Sequence, residues 1–195
     1  MNVCVIDEKR RLKPPVRWRK DVDFVLIRQQ EIAKRVKEIA ATLEKDYQDK
    51  ELVIVALLSG TVVFLADLVR HLELPLRLDF MAASSYGCGT VSKGVKITKE
   101  LKLEIQGKDV LLLDDILDTG RTLKATIERL EGLNPKSLKT CVLLDKPARR
   151  VVDISADYIG FMIPDYFVVG YGLDYSEKYR NLPFIGVLKK EIYEK

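Results

Sequence analysis

Three stretches of the chain, LVIVALL (52–58), VLLLDD (110–115) and LKTCVLL (138–144), run apolar with almost no alternation. A strand with one wet face alternates between apolar and polar residues. One that does not alternate is covered on both faces, the pattern of a parallel sheet between layers of helix. Helical periodicity falls between these runs: Ile32, Val36, Ile39 and Leu43 share one face, VVFLADLVRHL follows the first run, and Leu123, Ile127 and Leu130 follow the second. Gly132 and Pro135 close that last helix. LRLDFMAAS (76–84) reads as a further strand, SSYGCGTVSKG as a mobile loop, and VKITKELKLEIQGKD as a solvent-facing hairpin arm. Short strands are expected around 158–161 and 167–172. The fold class is therefore α/β, an open parallel sheet flanked by helices on both faces, without repeats or an internal linker.

Ligands of such sheets bind at the carboxyl ends of the strands. The unusual polar segments of this chain, SGT, SSYG, DDILDTG, DKPARR and GYGLDYSEKYR, all come directly after strands.

The segment VLLLDDILDTGRTL sets three aspartates, Asp114, Asp115 and Asp118, within five positions at the end of a buried run. Carboxylates repel one another and resist burial, so such a cluster waits for a cation or a polyhydroxylated ligand. Residues 118–122 can form a turn whose amides, with the hydroxyls of Thr119 and Thr122, converge ahead of a helix N-terminus and cradle a phosphate. A simple helix cap at Asp118 or Thr119 is the plainer alternative, but it leaves Asp114 and Asp115 unexplained. A nucleotide-binding acidic strand would need a GxxxxGK[ST] partner, which the chain lacks, and GCGTVS lacks the third glycine of a dinucleotide fingerprint. An aspartyl-phosphate phosphatase would space its aspartates two apart, whereas Asp115 and Asp118 are three apart.

Other chemistries are narrowed by what is scarce. The one histidine, His71, removes two-imidazole metal sites and leaves little for a Ser-His-Asp triad. Three cysteines without CxxC spacing point to a reducing compartment rather than a disulfide framework. No run approaches the roughly 20 residues of a membrane span, and the opening residues lack a signal-peptide pattern, so a cytoplasmic location is expected. Thirty-three basic against 29 acidic residues give a net charge of +4. That excess suits acidic small molecules and is too weak for the basic field of a nucleic-acid binder.

LLLDDILDTGRTL resembles the phosphoribosyl pyrophosphate signature of type I phosphoribosyltransferases. With LLDKPARR and GFMIPDYFVVGYGLDYSEKYRNLPFIGVL in the same order, the chain is identified by resemblance with the hypoxanthine-guanine phosphoribosyltransferases, over about residues 27–192. The resemblance implies one domain spanning 1–195, with a core of about 28–170 and a small hood from about 1–27 and 171–195. It implies Mg²⁺-dependent transfer of ribose 5-phosphate from phosphoribosyl pyrophosphate to N9 of hypoxanthine or guanine, with xanthine also considered, giving the purine nucleotide. A homodimer or homotetramer is implied as well, with no membrane or nucleic-acid partner.

The resemblance assigns Asp114 and Asp115 to the ribose hydroxyls and metal, Asp118 to the purine proton, and Thr119, Gly120, Arg121 and Thr122 to the 5′-phosphate. Lys146 would donate to the purine 6-oxygen, Phe167 would stack on the base, Val168 would offer backbone hydrogen bonds, and Asp174 would lie near a second metal. Leu58, Ser59, Gly60 and Thr61 would form the pyrophosphate loop, helped by Arg180 and on the same side by Arg150. Ser85 and Tyr86 would belong to a flap that closes over the site. Ser59 stands where the family commonly has a lysine, and a cis Leu58–Ser59 peptide is implied. A rival is a regulator on the same fold that binds RNA or nucleotides without significant catalysis; it would show a basic surface stripe, whereas the chain has only the basic patch KRRLKPPVRWRK, which reads first as solvated surface or an oligomer contact.

Overall fold

The computed structural model describes residues 3–86 and 94–194; the side chains of residues 84–86 and Gly94 lie outside that description. Its elements are strands β1 (Cys4–Val5), β2 (Val22–Ile27), β3 (Leu52–Leu58), β4 (Leu76–Tyr86), β5 (Gly94–Lys99), β6 (Asp109–Leu117), β7 (Ser137–Asp145), β8 (Tyr158–Met162), β9 (Val168–Val169) and β10 (Ile185–Leu188). The helices are α1 (Gln29–Asp46), α2 (Val62–Val69), α3 (Arg121–Glu131) and the short α4 (Lys190–Tyr193).

The main sheet has the order β1-β8-β7-β6-β3-β4-β5. Every neighbouring pair is parallel except β4 with β5. Successive side chains of a strand point to opposite faces, and this explains the unbroken apolar runs. Ile54, Ala56, Leu111, Leu113 and Leu143 pack under α1 and α2, joined by Ile32, Val36, Ile39, Phe64 and Leu68. Val53, Val55, Leu57, Val110, Leu112 and Val142 face the other way, against Leu123 and Leu130 of α3. Two cores thus share one set of strands.

The α1 stripe is the expected one, and its start is fixed by Glu31, whose Oε2 accepts from the Arg28 amide at 2.9 Å. The strand expected to stop at Ser84 continues through Tyr86, because β5 pairs with it in register Ser84↔Lys96, Ser85↔Val95 and Tyr86↔Gly94. Only part of the expected mobile loop is therefore strand, and its tip, 87–93, lies outside the described residues. The expected arm is a strand only over Gly94–Lys99; the chain beyond it is irregular.

A second sheet, β2-β10-β9, is antiparallel and carries its own core of Val22, Val25, Val169, Leu182, Phe184 and Leu188. Neither β2 nor β10 was legible as a strand, since short apolar runs give no period that separates strand from helix. β1 joins the edge of the main sheet beside β8, and β9 belongs to the small one. No described helix is long and apolar enough to cross a membrane.

Candidate active site

The carboxyl ends of β3 and β6 open into a cleft of about 320 Å³. Its walls are the 57–60 turn, Ala83 of β4, the 114–120 segment with Thr122 and Leu123, and Asp174 and Arg180 from the loop after β9. Parallel strands set side by side release their following loops on the same side of the sheet, and so segments far apart in sequence converge here.

Asp114 is buried and Asp115 half-buried, side by side at the end of β6. Asp114 Oδ1 accepts from the Asp115 amide at 2.9 Å and from the Thr61 hydroxyl at 3.4 Å. Asp115 Oδ1 accepts from the Ile116 amide at 2.8 Å. Burial pushes both carboxyls up from the ordinary range, and for Asp114 the Asp115 charge adds to the rise. Two carboxyls this close disfavour a second negative charge, and the Arg180 guanidinium offsets part of the rise at Asp115. The Thr61 hydroxyl is turned to Asp114, and of the 58–61 loop it is Leu58, Ser59 and Gly60 that line the cleft.

That loop is shaped by close approach. A Cβ on Gly60 would fall 1.6 Å from Asp115 Oδ2, and one on Gly172, where φ is +101°, would fall 2.0 Å from the Gly60 carbonyl oxygen. Asp115, Gly60 and Gly172 are thus layered with no room for a side chain. The Leu58–Ser59 peptide is cis.

Asp118 follows one turn later. Its Oδ2 lies 3.3 Å from Lys146 Nζ, while Oδ1 is buried with no hydrogen-bond partner among the described residues. Lys146, at the end of β7, is only 5% exposed, which removes the reading of a solvated surface lysine. Its ammonium also lies 3.7 Å from Asp165 Oδ1 and 3.5 Å from the Tyr166 carbonyl. Beyond Asp118, Gly120 precedes α3 with φ +85° and no side chain caps that helix. The plain capping reading therefore fails, though Thr119 Oγ1 accepts distantly from the Arg121 amide at 3.5 Å.

Arg180 donates to Asp174 Oδ1 and to the Gly172 carbonyl, both at 2.9 Å, and to Glu177 at 2.8 Å. Asp174 Oδ2 accepts from the Glu177 amide at 2.9 Å. Both oxygens of Asp174 are therefore engaged within its own loop. Among the described residues, no three histidine, cysteine or acidic side chains converge as a ready-made metal cage.

Phe167 is outside the cleft wall: its ring stacks on Tyr193 of α4 at 4.5 Å and meets Tyr175 edge-on at 5.6 Å. Val168 beside it is buried in β9 and pairs with Val187. Arg150 does not line the cleft. It lies behind the 117–120 segment, bonded to the carbonyls of Leu117 and Asp118. Ser85 and Tyr86 are strand residues in backbone, with side chains outside the described residues. Asp165, the second carboxylate at Lys146, was missed; 19 residues separate the two and no local pattern joins them.

A buried ammonium facing a carboxylate with one unpartnered oxygen, two strained carboxylates and a loop of amides ahead of a helix could bind a ligand that is phosphate, polyol and heteroaromatic base at once. The Phosphoribosyl transferase domain family matches residues 26–176. A hypoxanthine-guanine phosphoribosyltransferase of Bacillus subtilis is 50% identical over 175 residues, 89% of this chain and 97% of the relative. The chain belongs to the hypoxanthine-guanine phosphoribosyltransferase family. A relative so named from Staphylococcus epidermidis is 51% identical over 90% of this chain and 99% of its own length. The crystal structure of a hypoxanthine phosphoribosyltransferase from Staphylococcus aureus superposes with TM-score 0.87 at 50% identity, covering 91% of this chain and 97% of that one. The sheet order described above is thus that of a phosphoribosyltransferase fold.

Proposed function

We propose that this protein transfers ribose 5-phosphate from phosphoribosyl pyrophosphate to N9 of hypoxanthine or guanine, releasing pyrophosphate and the purine nucleotide. The observation that carries this reading is the Asp118–Lys146 pair. A 6-oxopurine protonated at N7 presents an acceptor at O6 and a donor at N7 on one edge. Lys146 supplies the donor and the unpartnered Oδ1 of Asp118 the acceptor. The amino group of adenine would face an ammonium that has only donors.

In this reading the 118–122 turn holds the 5′-phosphate, Asp114 and Asp115 take the ribose hydroxyls and a metal, and the 58–61 loop with Arg180 receives pyrophosphate. The bond from C1′ to the pyrophosphate oxygen breaks as N9 bonds to C1′ from the opposite face, and the N7 proton passes to Asp118. Arg180 gives up Asp174 to meet the leaving group. Val168 contributes backbone groups near the base. Phe167 covers the base only if its ring offers a face that Tyr193 does not occupy. Ser85 and Tyr86, in the β4–β5 hairpin beside Ala83, close over the reacting centre and keep water out.

Mg²⁺ fits the donor set: it takes one or two carboxylates and completes its shell with water and substrate oxygens, and the close Asp114–Asp115 pair disfavours a second negative charge without a cation. When bound, it neutralises charge on the pyrophosphate as that group leaves. Asp174 takes a share only on release from Arg180. A single domain with a hood, a cytoplasmic location and a homodimer or homotetramer belong to the same reading.

Pyrophosphate release from phosphoribosyl pyrophosphate, measured with hypoxanthine, guanine, xanthine and adenine with and without Mg²⁺, tests it. Release with 6-oxopurines and not adenine is expected, with hypoxanthine and guanine foremost. Absence of purine-dependent release would sink the reading.

A further inference from the structure

Three consecutive carbonyls of the loop that carries Asp118 are held from behind by one short segment. The Lys146 amide and Arg150 Nη2 donate to the Leu117 carbonyl at 3.0 and 3.2 Å, Arg150 Nε donates to that of Asp118 at 3.0 Å, and the Val151 amide to that of Thr119 at 3.1 Å. The same guanidinium also reaches the Ile154 carbonyl and the Asp145 carboxylate. Arg150 and Asp145 are largely buried, with side chains 16% and 9% exposed. Gly120 sits directly against this wall, where a Cβ would meet Ile154 and Val152 at 2.7 Å and Arg150 Cδ at 3.0 Å.

We infer that Arg150 is a positioning residue for the phosphoribosyl group: its forked guanidinium, with the Val151 amide beside it, fixes the orientation of the 117–119 peptides and so aims the amides that follow them into the cleft. In a trans peptide the carbonyl of one residue and the amide of the next point in opposite directions. Pulling the carbonyls of Leu117, Asp118 and Thr119 toward Arg150 and Val151 therefore turns the amides of Asp118, Thr119 and Gly120 the other way. The planar fork spans two adjacent carbonyls and the Asp145 carboxylate at once, a geometry that an ammonium cannot copy. Asp145 directly precedes Lys146, so one ion pair ties the base side of the site to its phosphate side. The inference rests on the proposed placement of the 5′-phosphate in the 118–122 turn.

The test measures calorimetric binding of inosine 5′-monophosphate and of magnesium pyrophosphate to the wild type, Arg150→Lys, Arg150→Gln and Thr122→Ala, with melting temperatures alongside. Arg150→Lys keeps the charge beside Asp145 and is expected to melt near the wild type. It should nonetheless bind the nucleotide at least tenfold more weakly, with pyrophosphate affinity within twofold. Arg150→Gln should show the same split more strongly. Full nucleotide affinity in Arg150→Lys, or an equal loss for both ligands, would overturn the inference, since either marks a purely structural ion pair. If Thr122→Ala leaves nucleotide binding unchanged, the phosphate placement itself is wrong and the role of Arg150 falls with it. Thr122→Ala weakened with Arg150→Lys unaffected overturns the inference alone.

Discussion

Lys146 Nζ and Asp118 Oδ2 face each other across 3.3 Å at the ends of adjacent strands, and the other oxygen of Asp118 is buried without a partner among the described residues. Each group compensates the other while the base is absent, and each can turn to one edge of a purine when it arrives. Asp118→Asn is expected to lower kcat by about 10²- to 10⁴-fold, the usual range for a lost proton acceptor, with phosphoribosyl pyrophosphate KM little changed. Lys146→Ala should raise the KM for hypoxanthine far more than that for phosphoribosyl pyrophosphate. Steady-state kinetics with each substrate varied in turn checks both.

Asp114 and Asp115 repel each other in a site that supplies too little counter-charge. Asp114→Asn should raise the melting temperature of the ligand-free protein at pH 7 by about 2–4 °C, equivalent to roughly 1 kcal/mol at this size. It should also abolish most of the stabilisation that Mg²⁺ with phosphoribosyl pyrophosphate gives the wild type. Thermal scans with and without those ligands would read both effects, and a destabilised Asp114→Asn protein would contradict the argument.

The layering of Asp115, Gly60 and Gly172 leaves no space for a methyl group. Gly60→Ala is expected to cut kcat/KM for phosphoribosyl pyrophosphate by tenfold or more while purine binding to the 118–146 side persists. Gly172→Ala should act in the same direction, because its backbone needs a positive φ as well as contact with the Gly60 carbonyl. Product-inhibition constants for pyrophosphate and nucleotide would separate the two halves of the cleft.

Asp79 anchors the base of the β4–β5 hairpin, accepting from the amides of Phe80, Lys102 and Leu103 at 2.8, 2.6 and 2.8 Å, with Lys99 at 3.7 Å. Burial works to raise its carboxyl, but these donors and Lys99 outweigh it and hold the group below the usual range. Its folded value is depressed, so its stabilising contribution is complete above the unfolded carboxylate range near about pH 4 and disappears as pH falls through the lower folded value. Asp79→Asn should cost about 1–3 kcal/mol at neutral pH and flatten the acid limb of the stability profile. Chemical denaturation from pH 2 to 7 is the measurement.

The central strands were legible because burial on both faces leaves unbroken apolar runs at 52–58, 110–115 and 138–144. The acidic cluster was legible for the opposite reason: such charge has no business at the end of a core strand unless a ligand compensates it. What stayed hidden depends on distant partners. β2 and β10 are strands because they pair with each other across some 160 residues. The Phe167–Tyr193 stack and the Lys146–Asp165 contact likewise join segments that no spacing rule connects. Arg150 was visible as a charge at the right place, but its direction follows from the carbonyls of Leu117 and Asp118, which a sequence does not display.

In the small sheet the last strand of the chain, β10, lies in the middle, hydrogen-bonded to β2 on one side and β9 on the other. Until it docks, both of its neighbours present open edges, the surface on which unfinished chains stick to one another. Closing the small sheet therefore waits on one pairing between segments some 160 residues apart, and until it forms two strand edges stand open at once.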